Sequence, residues 1–192
     1  MRSLTDAELV ARSQAGDVAA FNELAARWET ALYGFTRRTL GDAEDARDVC
    51  QEALVKAYQN IRRLRDGEKF KSWIHYIALN LCRDRFRSPR SRSEHVPFED
   101  EGPDPHGATR TERADQSAEA GSMSALLTAV LDELPPEQRT SIVLREYQGL
   151  TSEEIGEIMG VPAATVRTRI FYGLKALRTA LRARGIDRTD LG

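Results

Sequence analysis

The sequence predicts an all-α chain: two small helical domains joined by a flexible acidic linker. Three observations carry that prediction. Apolar residues recur every three or four positions through both halves, and no alternating pattern competes with them. Capping signatures and glycines punctuate the apolar runs. Residues 93–120 hold three of the seven prolines, two glycines and few large apolar side chains, so no regular period survives there. The expected division is a first lobe over 1–92, a linker over 93–120 and a second lobe over 121–192.

In the first lobe, Thr5-Asp6-Ala7-Glu8 has the form of a capping box, with Leu4 and Leu9 placed for a hydrophobic staple. Gly16 ends that short helix, and Asp17 caps a longer one with Phe21, Leu24, Trp28, Leu32 and Phe35 on its apolar side. Gly41-Asp42 breaks it and starts a third, whose apolar side is read as Val49, Leu54, Tyr58 and Ile61. A polar loop from Arg62 to Glu68 precedes a helix from about Lys69 to Arg87, with Phe70, Trp73, Ile74, Ile77 and Leu81 as its buried stripe.

The second lobe opens on an amphipathic stripe of Met123, Leu126, Leu127, Val130, Leu131 and Leu134. Pro135-Pro136 stops it and begins the next helix. Thr151-Ser152-Glu153-Glu154 is a second capping box, Gly160 makes a turn, and Pro162 opens a long helix to about Arg184. Short helix, glycine turn, longer helix is the helix-turn-helix layout.

The 192 residues carry 28 Lys+Arg against 30 Asp+Glu, a net charge of −2 that hides an asymmetry. Residues 1–92 have a net charge of +4, 93–120 of −6, 121–161 of −5 and 162–192 of +5. A basic C-terminal helix in a near-neutral chain suits a polyanion, though charges alone fit a solvated helix face as well. The longest apolar runs are too short to span a bilayer, and Met1 to Asp17 has no apolar signal core, so a soluble cytoplasmic protein is expected. Cys50 and Cys82 are too few for a disulfide scaffold or a four-ligand zinc site. His75, His95 and His106 have no metal-ligand spacing, and His75 lies two turns from Cys82, too far for a nucleophile–base pair. No cofactor, metal or catalytic chemistry is indicated; the cysteines read as small core residues or, alternatively, as a thiol switch.

On the last helix, Val166, Ile170, Leu174, Leu177 and Leu181 are expected to face the core. Opposite them lie Arg167, Thr168, Phe171, Lys175, Arg178 and Arg182. Guanidinium and hydroxyl groups read base edges, and an aromatic ring meets a thymine methyl or a sugar, unless Phe171 simply lies on the stems of its cationic neighbours. Thr165 to Thr168 would then sit deepest in the major groove. On the Lys69–Arg87 helix, Tyr76, Asn80, Arg83 and Arg87 form a flank suited to a nucleic-acid strand, or a basic helix end favoured by the dipole. On the helix from Ala43 to Ile61, Asp45, Asp48, Gln51, Glu52 and Gln59 form an acidic–amide face, solvated or docked on a basic partner.

With these residues laid out, the chain resembles a bacterial RNA polymerase sigma factor of the extracytoplasmic-function (ECF, group IV) type, in the sigma-70 family. In the first lobe the resemblance rests on Asp6 with Leu9-Val10, Gly16-Asp17, Ala20-Phe21, Ala43-Glu44-Asp45, Gln51-Glu52, Phe70 through Ile74, Ile77-Ala78, Asn80, Asp84 and Arg87. In the second it rests on Leu134-Pro135, Gln138-Arg139, Tyr147, Gly149-Leu150-Thr151, Glu154-Ile155, Gly160-Val161-Pro162, Thr165-Val166-Arg167 and Arg169. It implies a four-helix σ2 domain and a σ4 helix-turn-helix domain, with the linker threading toward the polymerase channels. Asp45, Asp48, Gln51 and Glu52 would bind the largest subunit of core RNA polymerase, and σ4 the flap of the second-largest. Asn80 with the loop Arg65, Asp66, Gly67, Lys69 and Phe70 would hold a flipped −10 base, with Arg83 and Arg87 on the backbone. Arg167, Thr168 and Phe171 would read the −35 element of promoter DNA, with Thr165, Arg169, Tyr172 and Lys175 beside them. An anti-sigma factor is a further implied partner. The chain departs from the family in having Tyr172-Gly173-Leu174 where relatives carry an Arg-Ala-Arg run, and a helical glycine costs about 1 kcal/mol relative to alanine. The rival reading is a stand-alone helix-turn-helix regulator that binds duplex DNA as a homodimer.

Overall fold

Local capping chemistry sets the element boundaries. The computed structural model describes residues 4–87 and 126–186, so the proposed linker lies outside the described residues, as do Met123, His95 and His106. Helix α1 (Asp6–Gln14) opens on the expected capping box, in which Thr5 Oγ1 accepts from the Glu8 amide and the Glu8 carboxylate accepts from the Thr5 amide. Asp17 and Asp42 cap α2 (Val18–Leu40) and α3 (Ala43–Asn60). Between these two, Gly41 takes the left-handed conformation that ends a helix most readily without a Cβ. Two short 3₁₀ turns, Ile61–Arg63 and Gly67–Lys69, occupy the polar loop and lead into α4 (Phe70–Arg87). In the second lobe, a helix over 126–132 (α5) is followed by α6 (Pro136–Ile142) and a π-helical turn (Val143–Tyr147). Then come α7 (Ser152–Met159), opened by the second capping box, and α8 (Ala163–Ala183). No strand occurs among the described residues; the fold is all-α.

Phe21, Leu24, Leu32 and Phe35 of α2 are buried as expected and Trp28 is half-buried beside them, but two other faces differ from their sequence reading. The buried side of α3 is Ala46, Val49, Cys50, Ala53 and Ala57, while Tyr58 stays 47 % exposed with its ring edge on Phe21. Small residues let α2 and α3 approach closely, and the Thr36 hydroxyl donates to the Ala46 carbonyl at 2.9 Å across that contact. On α8, Leu174 is 39 % exposed and Gly173 is buried in its place. A Cβ on Gly173 would stand 2.6 Å from Ile142 Cδ1 and 3.3 Å from Gln138 Cβ. The helical glycine thus permits close packing of α8 on α6, which offsets its low helix propensity.

The second lobe packs on the first. Val143, Leu144, Leu150, Ile155, Ile158, Met159 and Val166 belong to the same apolar cluster as the core of α1–α4. Polar contacts line the seam: Gln148 donates to the Ala31 carbonyl, and the Arg38 guanidinium lies 4.1 Å from the centre of the Tyr147 ring. Neighbours on several sides, α2 and α3 within the lobe and α7 across this seam, bury α4 far beyond its predicted stripe, with Ser72, His75, Leu79 and Cys82 also inside.

Candidate nucleic-acid interface

Three groups of sequence-predicted residues have distinct surroundings. The first is the loop before α4. Asp66 caps its turn by accepting from the Glu68 amide at 3.0 Å. Gly67 is pressed so closely on α1 that a Cβ would meet Ala7 Cα at 2.8 Å. The absence of a side chain there lets the loop rest on α1, leaving Arg65, Asp66 and Lys69 exposed. Phe70 is 0 % exposed, packed in the core with its ring 6.1 Å from Trp73. Its inclusion among the DNA-contacting residues is therefore corrected: Phe70 anchors the start of α4 and has no surface to offer a base.

Along α4, Tyr76 and Arg87 are exposed, and Asn80 is half-buried. Asn80 lines a cleft of about 300 Å³ with Lys56, Asn60, Arg63, Trp73, Ile77, Leu81 and Asp84. One ring, two amides, two cations and a carboxylate can receive a flat polar heterocycle and the phosphate attached to it. Sequence reasoning missed this grouping because it placed Trp73 and Ile77 in the buried stripe, although both are only half-buried. The signal was their spacing with Asn80 and Asp84 along one helix face; the contribution of Lys56, Asn60 and Arg63 is long-range. Arg83 and Lys69 face the second lobe. Arg83 Nη2 lies 3.4 Å from the Met159 carbonyl and 4.0 Å from Glu137, and Lys69 Nζ lies 3.5 Å from Glu157.

The second group lies on α8. Phe171 is 64 % and Tyr172 55 % exposed, their rings meeting edge to face at 5.3 Å. Thr168 donates to the Ala164 carbonyl, as an i−4 hydroxyl commonly does, and its oxygen remains on the surface. Arg167 pairs with Glu153 of α7 at 3.2 Å, both groups exposed, so the pair is weak and exchangeable. Lys175 is exposed, Thr165 is half-buried, and Arg169 is half-buried against Glu137 at 2.9 Å. One side of α8 therefore carries two rings, a hydroxyl and cations in water, while Val166 and Leu181 hold the other side to the lobe.

The third group is the acidic side of α3. Arg85 of α4 bridges Asp45 at 3.0 Å and Asp48 at 3.7 Å, and Glu52 pairs with Lys56. Gln51 is exposed beside them.

Both cysteines and His75 are buried. Burial pushes the thiols of Cys50 and Cys82 up to about 12, so neither is a thiolate at neutral pH. His75 is fully buried, with its ring edge-on to Phe35 and Trp28 and its Nδ1 2.8 Å from the Lys71 carbonyl. Desolvation lowers its pKa. Among the described residues no cluster of His, Cys, Asp and Glu could hold a metal ion, and no helix is long and apolar enough to cross a membrane.

Comparison with known proteins adds an independent line. Sigma-70 region 2 matches residues 24–92, and Sigma-70, region 4 matches residues 124–177. The RNA polymerase sigma-H factor of Pseudomonas aeruginosa is 34 % identical, over 92 % of this chain and 93 % of its own length. The ECF RNA polymerase sigma factor SigW of Bacillus subtilis is 33 % identical, over 87 % and 91 %. Among solved structures, CnrH in complex with the cytosolic domain of CnrY aligns with a TM-score of 0.69 and 25 % identity, over 93 % of this chain and 97 % of that one. The sigma factor RpoE of Bartonella quintana, solved with the anti-sigma factor NepR, shares the fold with a TM-score of 0.68 at 23 % identity, covering 89 % of this chain and all of that one. Relatives of that identity along nearly the whole length establish the family: this chain belongs to the ECF sigma factors of the sigma-70 family.

Proposed function

We propose that this ECF sigma factor is a non-enzymatic, dissociable specificity subunit that binds core RNA polymerase, recognises a promoter at two elements and opens the downstream one. The observation that carries the reading is the ordered match of two sigma-70 regions, one in each lobe. The proposed division is a σ2 domain over 1–92, a linker over 93–120 and a σ4 domain over 121–192. In this reading Arg167, Thr168 and Phe171 contact −35 base edges, with Thr165, Arg169, Tyr172 and Lys175 alongside. The −10 strand runs over Arg65, Asp66, Lys69, Tyr76, Asn80, Arg83 and Arg87. One extruded base enters the Asn80 cleft, offsetting an unstacking cost of a few kcal/mol. Gly67 sets the shape of the loop. Asp45, Asp48, Gln51 and Glu52 dock on the largest polymerase subunit, with Arg85 orienting the two aspartates. The protein acts in the cytoplasm, where promoter and polymerase are, and an anti-sigma factor restrains it by covering these surfaces.

Transcription in vitro tests the reading. With core polymerase, the protein is expected to direct initiation from a defined set of promoters and to bind core in a one-to-one complex. Binding to palindromic duplex DNA as a homodimer, with no effect on polymerase, would establish the rival regulator instead.

A further inference from the structure

The chain between α3 and α4 carries its cations outward: Arg62, Arg63, Arg65 and Lys69 are exposed, while Ile61, Leu64 and Phe70 are buried. Its inner side rests on α1 at two points. At one, Gly67 presses on Ala7 with no room for a side chain. At the other, the half-buried carboxamide of Gln14, the last residue of α1, donates from Nε2 to two carbonyls, Ile61 at 3.0 Å and Leu64 at 2.7 Å. Ala7 and Gln14 stand about 10 Å apart along the helix, so α1 supports the segment over about two turns. Helix α1 is itself well anchored. Leu9 and Val10 are in the core, and Asp6 accepts from Trp28 Nε1 at 2.8 Å and pairs with Arg27 of α2. The two carbonyls that Gln14 takes flank Arg63 in the chain, and Arg63 lines the Asn80 cleft together with Asn60, the residue just before them.

We propose that Gln14 is a positioning residue for strand capture: its two hydrogen bonds fix the wall of the cleft made by Asn60 and Arg63 and preset the cationic loop that follows. The proposal deepens the promoter-recognition reading above and rests on it. The Ile61–Arg63 turn has little to hold it locally. The Leu64 amide closes it on the Ile61 carbonyl at 3.1 Å, and the hydrogen bonds of so short a 3₁₀ turn are poorly aligned. The Gln14 carboxamide supplies from outside the segment the restraint that the turn lacks. A wall already ordered before a base arrives does not have to be ordered by that base, and the ordering cost otherwise subtracts from the affinity. Gln14 contacts no DNA in this arrangement; it acts through Asn60 and Arg63. Helix α1 thereby has a part in recognition although its own exposed residues take none.

Full-length protein assembled with core polymerase tests this on a promoter recovered by the transcription assay above. The probe is a labelled single-stranded oligonucleotide of that promoter's non-template −10 strand, with copies in which one abasic site is stepped along it. The unsubstituted protein is expected to lose most affinity at one abasic position, that of the captured base. Gln14→Met, which keeps the length of the side chain and removes its donors, is expected to bind the intact strand about 5-fold or more weakly. Its core binding and upstream duplex protection are expected to be unchanged, and at the sensitive abasic position the two proteins are expected to bind alike. Gly67→Ala, which leaves Gln14 in place and lifts the loop from Ala7, is expected to give the same pattern and decides the matter should Gln14→Met fail to fold. Unchanged strand affinity in Gln14→Met would overturn the proposal, as would an equal loss on intact and abasic strands. Loss of core binding along with strand binding in that variant would make Gln14 a general support of the lobe and overturn it too. Insensitivity of the unsubstituted protein to every abasic site would remove base capture in the cleft and this role with it. Failure of the unsubstituted protein to assemble with core polymerase would remove the promoter-recognition reading itself.

Discussion

Helices α4 and α8 each carry an aromatic ring, a neutral hydrogen-bonding group and guanidinium groups along one flank, yet α4 is buried on most sides and α8 on one. The difference arises from neighbours rather than from composition. Helix α4 is enclosed by α1, α2 and α3, and then by α7 from the second lobe. Its polar flank is narrowed to an open edge at Tyr76 and a cleft at Asn80. Helix α8 packs mainly on α6 and α7 of its own lobe, and its cationic and aromatic side remains in water. A periodicity argument assigns each helix a buried and an exposed face; it does not count how many neighbours will arrive.

Two phenylalanines sharpen the contrast. Phe70→Ala removes a ring that is 0 % exposed and is expected to destabilise the fold by about 3–5 kcal/mol. Phe171→Ala removes one that is 64 % exposed, and is expected to change stability by no more than about 0.5 kcal/mol while weakening duplex promoter binding. Urea unfolding of both variants checks this, and similar losses of stability would show that α8 is buried against something absent from this account. Gly173→Ala is the next largest effect. Helix propensity gains about 1 kcal/mol, while overpacking against Ile142 costs about 1–3 kcal/mol, so a net loss is expected. Adding Ile142→Val, which deletes the clashing Cδ1, is expected to restore most of that stability.

Arg167→Ala is expected to cost about 1–3 kcal/mol at one −35 base pair while leaving stability unchanged, because its Glu153 partner is exposed. Competition binding across single-base promoter variants reads this, and a uniform loss at every sequence would make Arg167 a phosphate contact instead. The smallest effect is the pH response of the α4 core. Unfolded His75 takes a proton near its ordinary value of 6.5, whereas folded His75 is held neutral by burial and by the positive charge of Lys71. Its contribution to stability is therefore complete above that pH and is lost as pH falls below it toward the depressed folded value. Thermal melting below about pH 6.5 is expected to show a decline that His75→Phe flattens.

The elements set by short-range chemistry were legible in the sequence. Both capping boxes form at the residues that spell them, and Asp17, Asp42, Gly41 and Gly160 start or end helices as expected. The large apolar side chains of α2 marked its core face. Legibility failed where packing depends on what is small or distant. Helix α3 is buried through alanines, which a search for large apolar residues passes over, so Tyr58 was assigned inward. Gly173 looked like a flaw in α8 until Ile142 was found to fill the space beside it. The α8 flank could be read because its residues are neighbours on one helix, whereas the Asn80 cleft draws on three segments of the chain. The contact between the lobes joins residues far apart in sequence, such as Gln148 and Ala31, and left no periodic trace.

The central claim is that the two flanks act on different steps at one promoter, and footprinting with strand-reactivity probing of Arg167→Ala and Asn80→Ala, each bound to core polymerase, tests it most directly. Arg167→Ala is expected to weaken upstream protection while complexes that do form still open; Asn80→Ala is expected to keep core binding and upstream protection and lose strand opening. Loss of the same step in both variants, or loss of core binding on replacing Asn80, would contradict the account.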